Sequence, residues 1–261
     1  RYSAIGAELL RFRDRNDHDM VLAMTHEEAV TDMARSALSS WRQLPFMLYQ
    51  FQLKYRDEAR ARGGLIRVRE FTMKDGYSFH SSHDDLDRYY QEVHQAYINI
   101  FRRVGIEPVV VQSDTGIMGG KLAHEFMLES EHGEDYLILC RHCGYQANGE
   151  IAQFQHEQFP ASPLPLEKVS TPGQESIEEV AAYLNQPTRQ TLKAVFYSTD
   201  GKLITLLVRG DLELSETKIR NYLKVGELVP AESEESRNAG MEPGYAGPIG
   251  VEEKIKALGG R

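Results

Sequence analysis

Cysteine is nearly absent: Cys140 and Cys143 are the only two in 261 residues. One C-x-x-C pair cannot build the disulfide framework of a small secreted domain, which points to a cytoplasmic protein. A structural zinc site normally takes four protein ligands. His132, His142 and His156 lie near enough in sequence for a mixed site, but the simpler reading is two reduced thiols in a turn and no metal. No run of eighteen apolar residues occurs, which excludes a membrane-spanning helix, and no secretory leader opens the chain. Positive charge is in the minority, with Lys+Arg 30 against Asp+Glu 39 and a formal net charge of −9. A bulk-basic nucleic-acid module is therefore excluded, and any polyanion must be held by local clusters. The hydrophobic share of 41% and charged share of 26% are those of a globular chain long enough for one large domain or two ordinary ones.

Proline is sparse until Pro160, Pro163, Pro165 and Pro172, which fall within thirteen residues. That cluster reads as a linker, 156–172, between a larger domain, residues 1–155, and a smaller one, residues 173–261. In the larger domain, 26–40 place Ala29, Val30, Met33, Ala34 and Leu38 on one helical stripe, with Thr25 and Glu28 at capping-box spacing. A longer helix is expected over 83–104, with Leu86, Tyr90, Val93, Tyr97 and Phe101 in period, Ser82 as cap and Gly105 as stop; a strand follows at 108–111. Between the helices, Met47, Tyr49, Phe51, Leu53 and Tyr55 alternate with Gln50, Gln52, Lys54 and Arg56. This is a strand with an apolar and a polar face, and Gly63-Gly64 should return it as an antiparallel partner over 65–73. In the smaller domain, Ser176 and Glu179 form a capping box for a helix at 177–185. Strands are expected at 192–197 and 203–208, a helix at 215–223, and a helix-like tail at 251–261.

The chemistry concentrates on the hairpin. Lys54, Arg56, Arg60, Arg62, Arg67 and Arg69 are six of the 30 basic residues within sixteen positions. Arginine reads phosphate oxygens bidentately, so convergence on a hairpin suits a ligand with several phosphates, such as ATP. The competing reading is a solvated face partly neutralised by Asp57, Glu58 and Glu70.

Tyr55-Arg-Asp-Glu58, Arg60, Arg62, Arg67-x-Arg-Glu-Phe71 and Met73-Lys-Asp-Gly-Tyr-Ser-Phe-His80 resemble motif 2 of class II aminoacyl-tRNA synthetases, in the version of the bacterial prolyl-tRNA synthetases. Thr25-His-Glu-Glu28 is similar to that family's T-x-E loop, and Ser113-Asp-Thr-Gly116, Gly119-Gly120 and His124-Glu-Phe126 to its next substrate segment. The segment 165–250 resembles the family's insertion domain, through Thr191-Leu-Lys193, Leu207-Val-Arg-Gly-Asp211 and Gly244-Tyr-Ala-Gly-Pro248. Met24 departs from the family's usual proline, and Ala61 and Gly63 from a loop Pro and Phe.

The resemblance implies an α+β fold: an antiparallel sheet flanked by helices, plus a smaller α/β insertion domain that edits. It implies ATP-dependent activation of proline, transfer to tRNA(Pro), and hydrolysis of mischarged alanyl-tRNA(Pro). Arg56 would bridge α-phosphate and substrate carboxylate as the catalytic residue. Glu58, Arg67 and Phe71 would complete the ATP site; Thr25, Glu27, Asp75, His80, His124 and Glu125 would join Arg56 around proline. Lys193, Gly244, Gly247 and Pro248 would serve editing. Mg²⁺ would arrive with ATP, with no tightly bound cofactor, and the intact enzyme would be a homodimer. Motif 1, motif 3 and the anticodon-binding domain find no match, so the chain reads as an internal fragment. The rival readings are another class II synthetase, such as one for threonine, a nucleotide- or tRNA-binding module without ligase activity, and a free-standing deacylase.

Overall fold

The computed structural model describes residues 8–155, 165–242, 244–247 and 257–259, the last three by backbone alone. The chain divides into two compact units, Arg1–Val109 and Val110–Arg261. The fold is α+β.

In the first unit a small ribbon, β1 (Arg11–Arg13) and β2 (Asp19–Val21), precedes helix α1 (Glu27–Ala37). Of the expected stripe, Val30 and Ala34 are buried, while Met33 is exposed. The capping box expected at Thr25 and Glu28 does not form: the N-cap is His26, and it makes no side-chain cap bond. The Thr25 hydroxyl goes to the Glu27 carboxylate instead. That bond uses the hydroxyl as donor, whereas a cap would use its oxygen as acceptor; the helix begins one residue later than the spacing implied, so Thr25 is not at the cap position.

Strands β3 (Phe46–Tyr55) and β4 (Glu70–Phe79) pair antiparallel along their whole length, Phe46 opposite Phe79 and Tyr55 opposite Glu70. The return strand thus begins five residues later than the expected 65–73. Gly63 and Gly64 both adopt positive φ, and the Ile66 N–H bonds the Gly63 carbonyl, so the turn consumes Leu65 and Ile66. Those two side chains stand 92% and 91% exposed at the hairpin tip.

The two faces of the hairpin are unequally covered. Tyr49 and Phe51, on the apolar side, are each 71% exposed, whereas Lys54, on the polar side, is wholly buried. Helix α2 (His83–Arg103) lies along the apolar side, where Tyr89 meets Met47 and Lys74 sits over the Tyr97 ring at 4.5 Å. The Ser82 hydroxyl caps α2 by accepting from the Asp85 N–H, and Gly105 with φ +84° follows its end.

In the second unit, β5 (Val109–Ser113), β6 (Ala123–Met127), β7 (Leu137–Leu139) and β8 (Gln146–Asn148) form a sheet in the order β6-β5-β8-β7. Residues 165–170 are irregular and exposed, and residues 156–164 of the expected linker lie outside the described residues. Helix α3 (Ile177–Tyr183) starts at the Ser176–Glu179 capping box, with both reciprocal bonds present. Then come β9 (Leu192–Thr199), β10 (Lys202–Arg209), helix α4 (Glu216–Leu223), β11 (Val229–Pro230), helix α5 (Ser233–Asn238) and β12 (Ala257–Gly259). The sheet order is β11-β9-β10-β12. Tyr197, Leu206 and Leu228 form its core, with Val195, Ile204, Leu214, Ile219 and Leu223 packed around them.

The helix-like reading of the tail is corrected at 257–259, which run parallel to β10 with Leu258 opposite Leu206. Two glycines follow Leu258, and an apolar edge is open beside β10, so pairing wins over helix propensity.

Candidate active site

The hairpin's inner face is set by register. Period-2 alternation puts Phe46, Leu48, Gln50, Gln52 and Lys54 on the same side as Phe71, Met73, Asp75, Tyr77 and Phe79. Gln50 faces Asp75 directly, and the Gln50 amide donates to Asp75 Oδ2 at 2.9 Å. Lys54 Nζ donates to Asp75 Oδ1 at 3.0 Å and to His26 Nδ1 at 2.6 Å. The Tyr77 hydroxyl donates to the other Asp75 oxygen. Burial pushes the Asp75 carboxyl up, but the bonds from Tyr77, Gln50 and Lys54 outweigh it and hold the group below the usual aspartate range. Burial, then the bond to Asp75, raises the Tyr77 hydroxyl well above its ordinary value, so it stays a neutral donor.

Beyond the end of β3, Arg56 leaves the pairing, its N–H donating to the Arg69 carbonyl. Its guanidinium carbon lies 5.3 Å from the centroid of the Phe71 ring, within cation–π range. Arg56 Nε is buried and makes no hydrogen bond. A buried donor left unpaired is costly in a folded chain and marks a place where an acceptor belongs. Glu58 organises the arginines instead of the ligand side. Its carboxylate accepts from Arg67 Nε at 2.8 Å, and its carbonyl accepts from Arg69 Nε at 2.9 Å. Arg67 holds the Glu58 carboxyl below its usual range.

At the N-terminal end of α1, Thr25, His26 and Glu27 are half-buried, and Met24 before them is buried. The loop is tied to β3 by the Tyr55 N–H, which donates to the Ala23 carbonyl at 2.9 Å. His80, just past β4, has Nδ1 2.6 Å from Asp85 Oδ2, with Nε2 buried and making no hydrogen bond.

Sequence reasoning placed Lys54 among the phosphate-facing cations. The structure turns it inward, away from Arg60 and Arg62, which are exposed in the loop. His26, Gln50 and Tyr77 were missed. The hairpin register carries a signal for Gln50, which it puts opposite Asp75; Tyr77 lies opposite the apolar Leu48, and His26 lies off the hairpin.

The second unit holds the other candidates. His124 and Glu125 are neighbours on β6, and the buried Asn148 donates to Glu125 Oε2 at 3.2 Å. Lys193 on β9 lies in register with Val208, and its ammonium donates to Glu213 Oε1 at 2.8 Å. Gly244 has φ +84°, and an added Cβ at Gly244 or Gly247 would meet nothing within 4 Å. Pro248 lies outside the described residues. Cys140 and Cys143 share a tight turn closed by the Gly144 N–H onto the Cys140 carbonyl, and the Cys143 backbone N–H lowers the Cys140 thiol. Among the described residues no three His, Cys, Asp or Glu side chains are grouped to hold a metal ion.

The paired hairpin thus carries an arginine beside an aromatic ring, with a buried Lys54–Asp75 ion pair at its base. Residues 10–206 match the tRNA synthetase class II core domain (G, H, P, S and T), and the chain belongs to that family. Residues 171–258 match the aminoacyl-tRNA editing domain. Within the family the similarity is to proline–tRNA ligases. The curated protein of that name from Dehalococcoides mccartyi is 48% identical over 256 residues, covering 98% of this chain and 45% of that protein. Those from Sulfurihydrogenibium and Geobacter are each 44% identical, with coverage of 98% and 99% of this chain and 46% of each relative. The chain therefore spans somewhat under half the length of the curated relatives it matches.

Proposed function

We propose that this chain carries the proline-activating site and a portion of the editing domain of a proline–tRNA ligase. The observation that carries the reading is Arg56, with its buried unpaired Nε beside Phe71, on a hairpin of a class II core whose curated relatives bear that name.

The reaction needs a proline carboxylate oxygen to bond the α-phosphorus of ATP while the bond to the bridging oxygen of the β-phosphate breaks. Pyrophosphate leaves with the Mg²⁺ that ATP brings, and prolyl-adenylate remains. A hydroxyl at the tRNA 3′ end then attacks the acyl carbon and AMP departs. Charge grows on the α-phosphate oxygens in the first step. A fixed guanidinium serves it best, because its donors are aimed before the charge develops. Arg56 takes that role and also meets the proline carboxylate. Phe71 offers its face to adenine, Glu58 lies at the adenine end, and Arg67, oriented by Glu58, reaches the outer phosphates. Thr25 orients the secondary ammonium of proline, Glu27 supplies its counter-charge, and Asp75, saturated by three donors, adds negative charge beneath them. His80, His124 and Glu125 are the remaining residues assigned to proline.

Functionally, residues 1–155 belong to the catalytic core, 156–172 to a linker and 173–261 to the editing domain. There Lys193 pairs with the tRNA end, exchanging Glu213 for phosphate. Gly244, Gly247 and Pro248 let backbone N–H groups approach the aminoacyl ester, which a positioned water hydrolyses. The partners are proline, ATP and tRNA(Pro), in a cytoplasmic homodimer without membrane attachment. Among the described residues no helix is long and apolar enough to cross a membrane.

The test is amino-acid-dependent ATP–pyrophosphate exchange in a chain of the relatives' full length. Proline should stimulate exchange, and Arg56→Ala should lower kcat by roughly two to three decades with the fold intact. Stimulation by threonine instead would make it another class II enzyme. ATP binding with no amino acid active would leave a nucleotide-binding module.

A further inference from the structure

The place of Lys54 contradicts its chemistry. It is a flexible cation in a cluster of cations, yet its relative exposure is 0%. A buried ammonium is tolerated only when paired and hydrogen-bonded, and here the partners come from two separate elements. Asp75 belongs to β4 and is reached across the hairpin at 3.0 Å; His26 belongs to the loop before α1 and is reached at 2.6 Å. The ammonium donates both bonds, so His26 Nδ1 is an acceptor. His26 stands between Thr25 and Glu27, the two residues assigned to the proline ammonium. The same segment meets β4 a second time, since the Tyr77 oxygen accepts the His26 backbone N–H and Glu27 lies within electrostatic range of Tyr77. Both contacts lead back to Asp75, which Tyr77 and Gln50 hold in place.

We propose that Lys54 is a positioning residue for the proline pocket, holding the Thr25–Glu27 loop on the hairpin through His26 while Asp75 neutralises it. It touches neither ATP nor proline; its ammonium sets where Thr25 and Glu27 stand. The assignment rests on the proline-activation reading above. Without Lys54, Asp75 keeps a negative charge with one donor fewer, and the loop loses its side-chain tie to β3. Proline binding should then suffer while the Arg56 end of the hairpin, beyond the last paired residues, keeps its nucleotide contacts.

The experiment compares wild type, Lys54→Met, His26→Phe and His26→Asn in a chain of the relatives' full length, by pyrophosphate exchange per active site and by hydrogen exchange of the 24–28 amides. Lys54→Met and His26→Phe should each raise the KM for proline about tenfold or more, with the KM for ATP within about twofold, and should speed amide exchange at 25–27. His26→Asn, which keeps an acceptor for the ammonium, should recover most of the proline affinity. A raised KM for ATP with proline unaffected would return Lys54 to the phosphate site and overturn the proposal. A lower melting temperature with both KM values and the 24–28 exchange unchanged would reduce it to core packing, which also overturns it. If Lys54→Met fails to fold, His26→Phe at the half-buried partner decides between the same outcomes. If wild type shows no proline-dependent exchange, the functional reading fails by itself. Amide exchange at 25–27 then still reports the tie, and unchanged protection in both variants refutes it.

Discussion

Asp75 sets two opposing effects against each other on one carboxyl group, burial favouring the protonated form and three donors favouring the anion, and the donors win. A carboxyl whose folded pKa lies below its unfolded value stabilises the fold above the ordinary aspartate range and loses that contribution as pH falls through the folded value. Asp75→Asn should therefore be destabilised relative to wild type at pH 5 to 8. The gap should begin to shrink below the ordinary aspartate value, about pH 4, as the unfolded chain takes up the proton, and should go on closing as pH falls through the lower folded value. Urea unfolding of both proteins at pH 7 and pH 3 checks this; an equal gap at both pH values would mean that the charge contributes nothing. Gly210 supports a second residue-level expectation. A Cβ there would fall 2.0 Å from Thr191 Oγ1 and 2.5 Å from the Thr188 carbonyl oxygen, which is backbone and cannot swing aside. The two segments are already joined by the Gly210 N–H onto the Thr191 carbonyl at 2.9 Å. Gly210→Ala should cost about 1–3 kcal/mol by overpacking, read as a lower unfolding midpoint. It should also displace the start of β9 and, with it, Lys193.

Among the elements, capping chemistry was legible from sequence at α2 and α3. Ser176 and Glu179 make both bonds of their box, and Ser82 caps α2. Ser176→Ala should destabilise the second unit by about 1 kcal/mol, measured by denaturant unfolding, because α3 has only seven residues and its first turn depends on that hydroxyl. An unchanged midpoint would mean water replaces the cap at no cost. Thr25 had the same spacing and is not a cap, because the helix starts at Glu27 with His26 as its N-cap, an offset of one residue that spacing does not reveal. The hairpin was legible as two strands and a glycine turn, but not in its facing. Period-2 alternation says that two faces differ; it does not say which one turns inward. An apolar side is expected inside, yet here the polar side buries Lys54, because Asp75 neutralises its charge and Asp75 and His26 accept its hydrogen bonds. The order and spacing of motifs named Arg56, Phe71 and Thr25, and the first two do lie side by side. The supporting network of His26, Lys54 and Tyr77 was not legible, since it exists only once the 25–27 loop meets the paired strands.

Over the whole molecule, apolar burial is unevenly shared. Among the described residues, Leu9, Met24, Val30 and Ala34 are the buried hydrophobic side chains of the first unit. The second unit buries Val111, Ala147, Ala152, Ala181, Tyr197, Leu206, Leu228 and Met241. Burial of apolar surface is the dominant favourable contribution to folding, and a two-stranded sheet is marginal unless other structure covers it. In the first unit the principal sheet is β3 with β4 alone, and Tyr49 and Phe51 are largely exposed on its outer side. In the second, β10 lies between β9 and β12, and β9 between β10 and β11. The 261-residue chain studied alone should therefore unfold in two steps, residues 8–109 first. Hydrogen exchange in increasing urea would follow it: amides of β3 and β4 should lose protection at a lower urea concentration than those of β9 and β10. Limited proteolysis should cut first at the exposed tip around Leu65 and Ile66, ahead of any site within β9 or β10. The two-step order carries over to ligand effects, because a ligand that binds only the folded form of one unit stabilises that unit. A non-hydrolysable ATP analogue, whose assigned contacts Arg56, Glu58, Arg67 and Phe71 all lie in the first unit, should raise the first midpoint and leave the second where it was. A single coincident transition for all four strands, or ligands that move both midpoints together, would show that the two units share their stability.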